Sequence, residues 1–211
     1  MQKFIVFTVV TMMMLTACGA QAPEQAASAP EQEATSAPEQ EATSAPEQTG
    51  PEFDGYYTMV SLLSDQSGMC LEGNDPDSAF KNGAAFITDC TNPATGQLWK
   101  LIPTGDGYYT LHTQFLEERN LCLEGAGGPD DIPAYMADCS QPASGQLWKL
   151  VDGPQDDYYL WNMNLEPQNM CLDSNDPDSE LMNGAAFMND CSNPADGQYW
   201  RFYPEEWYPR P

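Results

Sequence analysis

The sequence predicts an all-β domain assembled from three copies of one unit of about four strands. Three observations predict it. The hexapeptide Gly-Gln-Leu-Trp-Lys-Leu stands at 96–101 and again at 145–150, and an altered copy, Gly-Gln-Tyr-Trp-Arg-Phe, stands at 197–202. After Cys18, six cysteines fall as Cys70/Cys90, Cys122/Cys139 and Cys171/Cys191, one pair in each copy. The runs between turns, such as YYTMVSLL, YYTLHTQF and YYLWNMNL, alternate and are rich in the aromatic and branched residues that favour strands. No window carries the apolar stripe of an amphipathic helix. Repetition is sought first because a missed repeat misreads the whole fold.

The unit can be followed step by step. Each copy opens with paired aromatics, read as Tyr56-Tyr57, Tyr108-Tyr109 and Tyr158-Tyr159. A Cys-Leu-acid step follows at Cys70-Leu71-Glu72, Cys122-Leu123-Glu124 and Cys171-Leu172-Asp173. Two copies then carry NDPDS, at Asn74–Ser78 and Asn175–Ser179, where the middle one has AGGPDD. All three close with Asp-Cys, a turn rich in turn-forming residues and Gly-Gln-x-Trp. An even cysteine count in an exported chain points to disulfides, and the repeat singles out pairing within each unit. With no Cys-x-x-Cys step and one histidine, a cysteine-rich zinc site is a poor alternative.

Export is read from the start of the chain. A short basic opening is followed by an apolar run from Phe4 to Leu15, too short to span a bilayer and of the kind found in secretory signals. Leu15-Thr16-Ala17-Cys18 resembles the lipobox of bacterial lipoproteins. That resemblance implies a signal peptide over 1–17, lipidation of Cys18 and a bilayer anchor made of acyl chains; an ordinary cleaved signal beside a chance cysteine is the alternative. The implied location is a bacterial membrane lipoprotein facing away from the cytoplasm. In a Gram-negative cell, Gly19 after the cysteine favours the outer membrane or cell surface. Residues 18–52 carry the repeated SAPEQEAT and, from Ala20 to Glu52, no large apolar residue; they form an Ala/Pro/Glu/Gln-rich linker. Such a composition cannot offset its ordering entropy, so a disordered spacer is expected.

What remains, 53–211, is one domain, with lobes at about 53–104, 105–154 and 155–206. Residues 51–211 hold 26 Asp and Glu against 6 Lys and Arg, a net charge near −20, which argues against a nucleic-acid partner. Among all-β repeats, a propeller needs more blades than three units supply. Three units closing on a pseudo-threefold axis would make a β-trefoil. The Gln-x-Trp steps at Gln97–Trp99, Gln146–Trp148 and Gln198–Trp200, in phase with Cys-Leu-acid and Asp-Cys, resemble the ricin B-type lectin family. That resemblance implies a β-trefoil in which the tryptophans pack in a shared core and the glutamines hold the adjoining turns.

It also implies glycan binding. The family's acid lies two residues after the first cysteine, which maps to Glu72, Glu124 and Asp173; with Gln97, Gln146 and Gln198 these are the candidate carbohydrate-binding residues. The usual aromatic platform, two residues before the second cysteine, is replaced by Thr88, Ala137 and Asn189. The asparagine that often precedes the glutamine is replaced by Gly96, Gly145 and Gly197. Phe86, Tyr135 and Phe187, four residues before the second cysteine, are either substitute platforms or core residues. The third lobe alone keeps aspartate, with Asn189 and Gln198 as amide partners, and is the expected site. The alternative is a trefoil without sugar binding that serves as a protein-interaction module, as in the lectin-like subunits of cytolethal distending toxins; Trp161 and Trp207-Tyr208 would fit such an interface.

Other chemistries are weaker. The NDPDS loops place hard oxygen ligands at alternate positions, as calcium requires, but lack the glycine and distal glutamate of an EF-hand loop; a solvated acidic turn is the plainer reading, and no metal or other cofactor is assigned. His112 sits in an alternating strand and is read as structural. No nucleophile elbow or phosphate loop occurs. The expectation is a binding protein, not an enzyme.

Overall fold

The computed structural model describes residues 51–90, 94–125, 133–177 and 184–205. The signal, Cys18 and most of the linker lie outside these residues, as do Trp207 and Tyr208. Lobe 1 contributes β1 (Tyr57–Ser61), β2 (Met69–Glu72), β3 (Phe86–Asp89) and β4 (Trp99–Gly105). Lobe 2 contributes β5 (Tyr108–Thr113), β6 (Leu121–Glu124), β7 (Tyr135–Asp138) and β8 (Trp148–Asp152). Lobe 3 contributes β9 (Tyr158–Asn162), β10 (Met170–Asp173), β11 (Phe187–Asp190) and β12 (Trp200–Pro204). Among the described residues one short α-helix, α1 (Leu62–Asp65), follows β1, and 3₁₀ turns occupy several of the connections.

The first and last strands of each lobe close a barrel by antiparallel pairing in the cycle β1–β4–β5–β8–β9–β12–β1. The inner strands form the hairpins β2–β3, β6–β7 and β10–β11, which cap one end. At the cap the backbone makes a ring: Ala85 N–H donates to Ala134 O, Ala134 N–H to Ala186 O, and Ala186 N–H to Ala85 O, at 2.8, 2.8 and 2.9 Å. All three alanines are fully buried. The ring satisfies donors and acceptors that would otherwise be buried unpaired.

Below the ring lies one core of matched layers. Trp99, Trp148 and Trp200 have no exposed surface, and each indole N–H donates to a backbone oxygen of its own lobe: Leu71 at 2.8 Å, Leu123 at 2.9 Å, Leu172 at 3.0 Å. Met59, Leu111 and Leu160 form a second layer, and Ile87, Met136 and Met188 a third. Each lobe is closed by its own disulfide, Cys70–Cys90, Cys122–Cys139 and Cys171–Cys191, as the repeat predicts.

Strand register corrects one reading. Tyr57, Tyr109 and Tyr158 pair with the motif tryptophans 99, 148 and 200. The third aromatic pair is therefore displaced by one residue, and Asp157 stands where lobes 1 and 2 have Tyr56 and Tyr108. Asp157 is 1% exposed and is held by Arg201 Nε, while Arg201 Nη1 reaches Asp65 at 3.0 Å. A buried carboxylate is tolerated there because a guanidinium faces it.

Candidate functional site: the acid-bearing face of each lobe

In every lobe the motif glutamine is buried and both ends of its amide are engaged. The Oε1 atoms of Gln97, Gln146 and Gln198 accept from the N–H of Ala94, Ala143 and Ala195 at 2.9, 3.0 and 3.1 Å. Their Nε2 atoms donate to the backbone oxygens of Asp89, Asp138 and Asp190 at 2.9, 2.9 and 3.1 Å. Each glutamine pins the closing turn to the hairpin, which fixes where the acid in front of it sits.

Register also places the aromatics. Across each hairpin Glu72 faces Phe86, Glu124 faces Tyr135 and Asp173 faces Phe187; directly opposed residues point to the same side of a sheet. Phe86, Tyr135 and Phe187 thus share the acid's face, and the core side is taken by Ile87, Met136 and Met188. All three aromatics therefore lie on the acid's side of the hairpin, where Phe86 is nonetheless buried at 5% exposure. Thr88, Ala137 and Asn189 lie opposite the first cysteines instead.

The three faces differ in what surrounds the acid. In lobe 1, Glu72 Oε2 accepts from Gln97 Nε2 at 3.2 Å; burial raises the pKa of Glu72, and the Gln97 bond opposes that. Phe86 is covered by the exposed ring of Phe80, with centroids 5.1 Å apart. In lobe 2, Glu124 Oε2 accepts from Gln146 Nε2 at 3.1 Å and Oε1 from the Tyr135 hydroxyl at 3.2 Å.

Lobe 3 is built otherwise. Asp173 is one methylene shorter and takes its side-chain bond from Asn189 Nδ2, 2.8 Å from Oδ2. Burial pushes its pKa up, against the pull of Asn189 and the Ser174 backbone. The carboxylate rests directly on Gly197: a Cβ there would overlap Asp173 Oδ1 and Ser174 O. This explains the glycine that stands where the family often has asparagine. Asp173, Ser174, Asn175 and Phe187 line an open depression of about 500 Å³, with Leu63 of α1 on its far wall. The Leu63 wall was not readable from lobe 3 itself. It comes from lobe 1, docked by a Leu62 N–H bond of 2.8 Å to Tyr199 O.

The first NDPDS loop holds a protein cation. Arg119 of lobe 2 places Nη1 2.6 Å from Asp75 Oδ2 and Nη2 2.9 Å from Asp77 Oδ2. The Asp77 backbone N–H bond and Arg119 together hold the Asp75 carboxyl below its usual pKa. The second loop lies partly outside the described residues. His112 is buried against the Cys122–Cys139 bridge, with Nε2 2.9 Å from Thr110 Oγ1, and burial lowers its pKa. Trp161 is half-buried.

Comparison with known proteins agrees with this geometry. No curated protein matches the chain. Among solved structures, the designed threefold-symmetric protein ThreeFoil is 25% identical with a TM-score of 0.53, covering 71% of this chain and 99% of that one. The Haemophilus ducreyi cytolethal distending toxin is 17% identical with a TM-score of 0.53, over 71% of this chain and 83% of the other. A Polyporus squamosus lectin bound to a human-type influenza-binding epitope is 16% identical with a TM-score of 0.54, over 72% of this chain and 50% of that one. The family model described as ricin-type beta-trefoil lectin domain matches residues 58–200. With three Gln-x-Trp turns, a closed barrel and a capped axis all in phase, the chain belongs to the ricin-type β-trefoil lectin family.

Proposed function

We propose that this protein binds glycans through lobe 3 and is displayed on a bacterial membrane by lipidation of Cys18, with no catalytic step of its own. The observation that carries the reading is the pairing of Asp173 with Phe187 across β10 and β11, at the floor of an open depression. A carboxylate accepts from a pair of sugar hydroxyls while an aromatic face covers the apolar side of the ring. Asn189 holds the carboxylate in place as a positioning residue. Three within-lobe disulfides suit an oxidising compartment, and many weak copies on one surface would act by avidity.

The test is a glycan array followed by titration of the best hit, with calcium and with EDTA. Asp173→Ala should weaken binding about tenfold or more, the scale of a hydrogen bond to a charged group. Glu124→Ala should change it little, because both Glu124 oxygens already have internal partners. Equal losses from the two variants would sink the assignment to lobe 3. Binding that vanishes only in EDTA would move the site to an acidic loop.

A second reading, a protein-interaction module without sugar binding, is favoured by the closed state of Glu124 and the burial of all three glutamines. An array that stays blank on protein with native disulfides selects it. Replacing Cys18 by Ser separately tests the anchor: the variant should lose the acyl mass and leave the membrane fraction.

A further inference from the structure

The barrel end opposite the hairpin cap carries a threefold aromatic collar that the lectin reading leaves unused. Tyr57, Tyr109 and Tyr158 occupy equivalent positions there, one per lobe. Two residues beyond each motif tryptophan stand Leu101, Leu150 and Phe202. Into this cup enters Phe53, at the first position of lobe 1, where the equivalent positions before Tyr109 and Tyr158 hold Gly105 and Pro154. Its ring lies 5.3, 6.1 and 6.5 Å from those of Tyr57, Tyr109 and Tyr158, edge to face, and 5.0 Å from Phe202. Such contacts add to the apolar area covered. The flanking backbone is read as well: Tyr109 donates its hydroxyl to Pro51 O at 2.9 Å, and Tyr57 to Asp54 O at 3.1 Å. Open depressions of about 390 Å³ lie on both sides of the segment.

We propose that this barrel end is a peptide-binding site for an extended Pro-x-Phe-Asp segment, filled in cis by Pro51–Asp54 and able to take the same segment from a second copy of the chain. Two features make it exchangeable. Residues 51–54 join no strand, so the segment can leave without breaking a ladder of backbone bonds. Gly55, next to it, has φ +93° with nothing near the place of a Cβ. Its glycine is therefore needed for the backbone reversal that turns Phe53 into its own barrel. A short element on such a hinge is the usual material of exchange between copies.

The experiment uses full-length Phe53→Ala and a synthetic peptide of residues 49–55, Thr-Gly-Pro-Glu-Phe-Asp-Gly. Phe53→Ala should lower Tm by about 3–8 °C. Saturating peptide should recover at least half of that loss, and the same peptide with alanine for phenylalanine should recover none. The unmodified chain should bind the peptide at least tenfold more weakly, its cup being full. Gly55→Val keeps the aromatic but opposes the reversal. It should give a concentration-dependent dimer by sedimentation, and Gly55→Val/Phe53→Ala should remain monomeric. A Phe53→Ala variant that melts like the parent, or one that folds with its disulfides intact yet ignores millimolar peptide, overturns the site. A Gly55→Val monomer, or a dimer that survives in the double variant, overturns the exchange. If Phe53→Ala does not fold, the Gly55→Val arm decides alone.

Discussion

Lobes 2 and 3 place an acid at the same point of the same hairpin, yet surround it differently. In lobe 2 Glu124 extends far enough to meet Gln146, and Tyr135 takes its other oxygen. In lobe 3 the shorter Asp173 sits back on Gly197, Asn189 holds one oxygen, and Phe187 has no hydroxyl with which to reach the other. The Gln-x-Trp turn behind them is the same in both: an amide clamping two backbone groups and an indole bonded to a leucine oxygen. The conserved geometry therefore belongs to the fold. What differs between the lobes is one methylene in the acid and one hydroxyl across the hairpin, and these decide whether the carboxylate is closed off.

The largest effect that would sharpen this contrast is electrostatic. Lys100 and Arg201 follow their motif tryptophans at the same strand position. Lys100 pairs with Glu117 at 3.8 Å, with both side chains about half exposed, and such pairs contribute little. Arg201 instead covers Asp157, whose side chain is fully inaccessible. Arg201→Ala should cost about 3–5 kcal/mol, because it leaves a buried charge without its partner, while Lys100→Ala should cost under about 1 kcal/mol. Urea melts of both variants measure this. Equal costs would mean that lobe 3 carries no special buried pair and that Asp157 hydrates once Arg201 is gone.

A smaller effect separates the two glycines beside the acids. A methyl at Gly145 would meet Glu124 Cγ and Gly125 O at 3.4 Å, ordinary contact. At Gly197 it would overlap Asp173 Oδ1 and Ser174 O and must push the carboxylate away. Overpacking of this kind costs roughly 1–3 kcal/mol. Gly197→Ala should therefore lower stability by that amount and abolish glycan binding, whereas Gly145→Ala should leave both nearly unchanged. Binding that survives Gly197→Ala would show that the ligand does not need Asp173 in its present position.

Much of this frame was legible in the sequence because threefold repetition writes the same requirement three times. Trp99, Trp148 and Trp200 announce a shared core, and the cysteine spacing announces the bridges. Features that break the repeat were harder to read. The tyrosine pair at 158–159 is out of phase because Asp157 replaces an aromatic, which the letters alone disguise as a match. Phe86, Tyr135 and Phe187 stayed ambiguous because a one-residue shift reverses the face of a strand; only the pairing of Glu72 with Phe86 and its counterparts fixes it. Leu63 and Arg119 act on neighbouring lobes, so no reading of a single unit reveals them. Phe53 opens the domain in the sequence reading, but only the collar around it shows what it does, and only the Tyr109 bond to Pro51 shows that the folded domain reaches into the last linker residues.

The smallest effect is a difference of slope with pH inside lobe 3. Burial raises the pKa of Asp173 above its usual 3.8, so the folded state holds a proton that the unfolded chain has already lost. Its contribution to stability is complete below the ordinary carboxylate value and is lost as pH rises through the raised one. Asp190, at the hairpin's outer end, has the opposite setting. The Ser192 side chain and its backbone N–H, the latter at 2.8 Å from Oδ1, hold its pKa down. Its contribution is present above the ordinary value and is lost as pH falls through the lowered one. Asp173→Asn should therefore gain on the parent between about pH 3.5 and pH 7, and Asp190→Asn should lose ground as pH rises from about 2 to 5. Chemical denaturation across that range reads both slopes in one lobe. Parallel curves would mean that Asp173 is hydrated in solution, and the depression would then be wetter and less able to grip a sugar than its geometry implies.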